Sequence, residues 1–403
     1  MARRVIEVAV NTDRREAEVS AQAVGLSPFF REKIVAETAM LLLCLDPVQT
    51  QDPRIAQQVG ELAHLLLPHA RHRDVLAAIC LDPGLARDYA LAHSLLSRLG
   101  YPDPEVDLLL SKSLALGTSF GPERLPHRRL EQAWLARLWP VAPSPVPADA
   151  RLLADSMLGR TMDALGSTRL DIYAFTHAVM YASDLGMRNI TLPRPRSSVS
   201  ADADAALAFS LDSNDFDLTA ELLMTWPMLG LPWSPSATLA FSILAEVEDS
   251  IGFLPGLSFD LALYQTLDQA PDHEARSRLA LTSYHTAYVM AYLCAAALRP
   301  GCAPPSAVPV SRRAPGSGAA VLSLLDTAGP ASCWFKSLLA LTPSQRDSVA
   351  SLILAIVLRR ARTQGNLYLI RAALEIALAH DLFTGPAPMQ AAALLNRSQH
   401  LKF

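Results

Sequence analysis

Apolar residues recur along most of this chain at three- and four-residue steps, the period of a helix with one buried face. "FFREKIVAETAMLLLCL" (29–45), "RIAQQVGELAHLLLP" (54–68), "GLARDYALAHSLLSRLG" (84–100) and "EVDLLLSKSLALG" (105–117) each follow it, with Asp-Pro, Pro or Gly between them. Runs of alternating β-branched residues joined by Asn-Gly or Asp-Gly turns are missing. The pattern predicts an all-α protein of antiparallel helix pairs in a helical-repeat or α/α-toroid-like arrangement.

Breaks in the pattern divide the chain. "VAPSPVPAD" (141–149) cannot sustain a helix. It closes an N-terminal helical subdomain, 1–140, and a central helical region follows over 150–298. "RPGCAPPSAVPVSRRAPGSG" (299–318) reads as a flexible linker before a C-terminal helical region, 319–403.

Hydrophobic residues make up 51% of the 403 and charged residues 18%, so helices must be buried on several sides. The longest apolar run, "LALTSYHTAYVMAYLCAAAL" (279–298), is long enough to span a bilayer. Its first half carries Ser283, Tyr284, His285 and Thr286, which makes it a core helix and leaves no membrane partner. A net charge of −4 offers no basic footprint for nucleic acid. Five cysteines without CxxC spacing, and a start lacking the apolar stretch of a signal peptide, fit a reducing, cytoplasmic setting.

Three polar interruptions of apolar helices are candidates for chemistry. In "YAFTHAVMYASDLG" (173–186), helical spacing aligns Tyr173, His177, Tyr181 and Asp184 on one stripe. An imidazole and a carboxylate there suit acid/base work or metal ligation, while a core histidine and a helix-ending Asp184 before Gly186 explain the same residues without function. In "DSNDFDLTAEL" (212–222), Asp217 and Glu221 point the same way and suit a cation or an acid of raised pKa. Capping accounts for Asn214 and Asp215, and less well for Glu221 two turns in. In "SYHTAYVMAY" (283–292), His285, Tyr288 and Tyr292 share a face that suits an apolar pocket or a core whose hydroxyls find partners.

Burying several such groups is costly unless they satisfy one another, so His177, Asp184, Glu221 and His285 are expected to face one cavity as the catalytic set. Tyr181 and Tyr288 form its wall. A divalent metal ion, if one is the cofactor, falls to His177, Asp217, Glu221 and His285. The phosphate-loop, dinucleotide, HExxH and GxSxG motifs are missing.

On "THAVMYASDLG" (176–186), "DFDLTAELL" (215–223), "SYHT" (283–286) and "LPHRRLEQAWL" (125–135), the chain resembles an uncharacterised, mainly actinobacterial, all-helical family classed as a domain of unknown function. The resemblance implies a cytoplasmic protein often met near specialised-metabolite genes, and no reaction. The expectation is an enzyme or accessory enzyme of natural-product or peptide modification, with a small molecule or peptide as substrate. The alternative is a non-catalytic helical-repeat module that binds a partner protein or leader peptide.

Overall fold

The computed structural model describes residues 30–116, 124–139, 149–268, 282–325 and 334–398. Every regular element among them is helical, with no strand. The helices of eight residues or more in the first half are α1 (Phe30–Gln49), α2 (Pro53–Ala70), α3 (Arg73–Leu81), α4 (Leu91–Arg98), α5 (Pro104–Leu114), α6 (Pro126–Leu138), α7 (Arg169–Ala182) and α8 (Arg196–Asp212). The second half adds α9 (Phe216–Leu223), α10 (Pro235–Ile251), α11 (Leu261–Asp268), α12 (Tyr284–Ala297), α13 (Ala350–Thr363), α14 (Leu367–Ala379) and α15 (Pro386–Ser398).

Local chemistry sets these boundaries. Asp52, Asp103 and Ser234 cap α2, α5 and α10 with side-chain oxygens, each followed by a proline at the first helical position, where its missing N–H is no loss. A reciprocal box between Thr168 and Asp171 starts α7. Farther on, Thr342 makes the same kind of box with Gln345 beside Pro343. At the end of α10 the chain turns at Gly252 with φ +90°, a conformation that costs glycine little.

The chain forms two compact units, each assembled from two separate stretches. The first comprises residues 1–152 and 258–301, the second 153–257 and 302–403. In the first, α1 packs against α2, α4 and α12. Of the 279–298 run, Tyr284–Ala297 forms α12, most of whose residues are buried, and residues 279–281 lie outside the described residues. Among the described residues no helix is long and apolar enough to cross a membrane.

In the second unit, the alanine-rich α8 touches α9, α10, α13 and α15. Small side chains let several helices approach one axis, and α8 is buried on several sides as a result. The 299–318 stretch carries no helix before Ser317. Cys44, Cys80, Cys294 and Cys302 are free thiols; Cys333 lies outside the described residues.

Candidate functional site

The stripe on α7 exists as far as Tyr181. The rings of Tyr173 and His177 stack at 3.7 Å between centroids, and His177 meets Tyr181 edge-on at 5.7 Å. His177 and Tyr181 are buried. Asp184 does not continue the stripe, because the helix ends at Ala182 and the backbone turns left-handed at Asp184 (φ +52°) and Leu185 (φ +56°). Asp184 ends the helix instead, its carbonyl accepting the Met187 amide at 3.1 Å.

Opposite the stripe lies α9, which packs against α7. Glu221 is 3% exposed. Its Oε2 accepts the Thr176 hydroxyl hydrogen at 2.5 Å and stands 3.6 Å from His177 Nδ1. The same ring nitrogen lies 3.1 Å from the Tyr173 carbonyl. A carbonyl only accepts, so Nδ1 carries the hydrogen, and in the neutral ring Nε2 is the basic nitrogen.

A second polar cluster sits at the start of α9. Asp215 caps it, accepting the Leu218 amide, and its other oxygen takes Arg169 Nε at 2.7 Å. Arg169 also reaches Asp217 Oδ2 at 3.0 Å. Burial works against the Arg169 charge, but Asp215, Asp217 and Glu221 outweigh it and raise its pKa. Asp217 and Glu221 bring carboxylate oxygens within 4.8 Å of each other. Such carboxylate oxygens are hard donors of the kind that favour a divalent cation, and Arg169 already supplies one positive charge at Asp217.

The approach to α7 is held from α13. Arg359 donates to the Ala164 and Ser167 carbonyls and Arg362 to that of Leu165. Arg360 forks onto both oxygens of Asp212 at the end of α8. Burial lowers the Arg359 pKa to about 10. These arginines fix the segment that leads into the Thr168 cap and so set the position of His177. Sequence reading passed over them, as it did Thr176 and Arg169, because their partners lie far away along the chain.

His285 belongs to the first unit. On α12, its Nδ1 lies 2.9 Å from Glu37 Oε1 on α1. The same helix pair joins Tyr288 Oη to Thr38 Oγ1 at 2.6 Å, and Tyr292 donates to the Glu37 carbonyl at 2.7 Å. Burial raises the pKa of both tyrosines above the ordinary phenol value. Spacing along the chain marks neither Glu37 nor Thr38, whose partners lie about 250 positions away.

A family match spans residues 6–295, well over half of the chain, and is described as a domain of unknown function, DUF6895. The chain belongs to this family. The matched segment contains His177, Asp184, Asp217, Glu221 and His285 together with Thr176 and Arg169. Comparisons with curated proteins and with solved structures return no match.

Proposed function

We propose that this DUF6895 protein is an enzyme that moves a proton on a small-molecule or peptide substrate at His177 Nε2, with Glu221 and Thr176 as positioning groups. The observation that carries the reading is the seating of His177. One ring nitrogen is fixed by the Tyr173 carbonyl beside a buried carboxylate, and that carboxylate is itself held by Thr176. Such seating selects the tautomer whose outer nitrogen is basic and steadies the imidazolium once a proton arrives. A divalent cation held by Asp217 and Glu221 is a variant of the same reading. It would supply Lewis acidity there.

Assignment to natural-product or peptide modification, in a bacterial and mainly actinobacterial cytoplasm, comes from the family resemblance and the cysteine pattern. A second reading, a non-catalytic module for a partner protein or leader peptide, is favoured by the Asp215 cap and the Arg169 bridge, which use those carboxylates structurally.

The deciding experiment incubates purified wild-type, His177→Gln and Glu221→Gln proteins with fractionated extract of the producing cells and follows converted species by mass spectrometry. The enzyme reading expects species converted by wild type, lost with His177→Gln and slowed with Glu221→Gln, at unchanged melting. Conversion that persists in His177→Gln, or none by wild type, overturns it in favour of the module. Stoichiometric metal in the purified wild type, lost in Asp217→Asn, selects the metal variant.

A further inference from the structure

Within the first unit, α1, α2, α3, the short helix Ala86–Tyr89 and the start of α4 enclose a cavity of about 370 Å³, within the size range of small-molecule sites. Its floor is apolar, with Val35, Val75 and Ala78 among its residues. Glu32, Asp74 and Asp88 bring three carboxylates to its lining, and Lys33 is the one lysine or arginine among the described lining residues. The Lys33 ammonium is drawn elsewhere, 3.5 Å from Glu37 Oε1 and 5.7 Å from the centre of the Tyr284 ring.

Two histidines also line the cavity, His69 and His72. His72 caps α3, its Nδ1 lying 3.4 Å from the Asp74 amide and 3.5 Å from Asp74 Oδ2. Three of the four Asp, Glu, Lys and Arg side chains of the lining are thus carboxylates, set among apolar residues and the Tyr89 ring, with Arg73 Nε 3.7 Å from Asp74 Oδ1 outside the lining. An aromatic face and carboxylates are the surfaces that attract an organic ammonium group.

We infer that this cavity is a binding site for a small amphipathic amine, its ammonium among Asp74, Asp88 and Tyr89 and its alkyl body on Val35, Val75 and Ala78. The inference uses residues of the first unit alone and does not depend on chemistry at His177.

The test titrates the full-length protein with three four-carbon probes, n-butylammonium, n-butanol and butyrate, by calorimetry and by NMR shift mapping. Butylammonium is expected to bind saturably, at least about tenfold tighter than butanol, with butyrate weakest. The double variant Asp74→Asn, Asp88→Asn should lose about tenfold for the amine and leave butanol unchanged. Ala78→Phe should fill the cavity and abolish binding of both, and His177→Gln should alter neither. Should Ala78→Phe fail to fold, the double variant carries the test. Absence of saturable amine binding, butyrate binding as tight as the amine, or amine binding undiminished in the double variant would each overturn the proposal.

Discussion

Thr176 gives its hydroxyl hydrogen to Glu221 at 2.5 Å, across 45 positions of sequence, and so joins α7 to α9 beside the His177 ring. The pair is buried, and a buried carboxylate that loses a hydrogen-bond donor is left with more of its desolvation cost uncompensated. Thr176→Val keeps the shape and removes the hydrogen. It should lower unfolding free energy by about 1–3 kcal/mol in urea titration, with Glu221→Gln in the same background recovering part of the loss. Equal stability of Thr176→Val and wild type would show that the bond is worth nothing.

Arg169 bridges Asp215 and Asp217, and with a partly exposed guanidinium its contribution is screened. Arg169→Ala should still cost about 1–2 kcal/mol, since both carboxylates are largely buried. Lysine should recover less than half, because one ammonium cannot reach two carboxylates as the planar fork does. Full rescue by Arg169→Lys, read from denaturant midpoints, would refute the bridging geometry.

Asp204 on α8 accepts the Ser234 hydroxyl that also caps α10. The residue retains some exposure, but its carboxyl is desolvated, and burial pushes its pKa up to about 7 against the weaker opposing effect of the Ser234 bond. A carboxyl with a raised folded pKa binds more protons folded than unfolded, so its contribution is greatest in acid and declines as pH rises from about 4 to about 7. Asp204→Asn should thus gain stability over wild type at pH 8 and much less at pH 5. An identical difference at both values, by thermal and urea unfolding, would remove Asp204 as the cause.

His93 in the first unit responds with the opposite sign. The ring is fully buried, Arg71 donates to its Nδ1 at 3.3 Å, and its Nε2 lies 2.8 Å from Asp107. An arginine only donates, so Nδ1 is unprotonated and the ring neutral. Burial lowers its pKa despite the pull of Asp107. A histidine with a depressed pKa stabilises the fold above its unfolded value near 6.5, and that stability drains away as pH falls below it. The His93 ring resonances should hold their neutral shifts at pH 6, where an exposed histidine is already mostly charged. A normal titration curve would contradict this arrangement.

Helix periodicity made the all-α class and the Tyr173–His177–Tyr181 stripe readable, since residues four apart on a helix must share a face. Asp184 escaped the same rule because the helix stops at Ala182. Leu185 takes a left-handed conformation that a bulky residue seldom adopts, and Gly186 was the nearby signal of a helix end. What periodicity could not deliver was partnership. Glu221 with Thr176, and Glu37 with His285 across 248 positions, depend on which helices pack together, and that is decided by the whole chain. Likewise nothing local in "LRRAR" (358–362) points to its partners, yet its three arginines are spent on carbonyls and on Asp212.

The interleaving of the two units imposes an order on birth. Thr38 meets Tyr288 inside the first unit, yet 250 positions separate them. At a synthesis rate of about 5–20 residues per second, α1 waits roughly 12–50 s on the ribosome for α12, while all of α7–α10 emerges between them. Throughout that interval the apolar flank of α1 stands uncovered by its eventual neighbour. A nascent chain of this kind is a natural client for chaperones that shield helical segments.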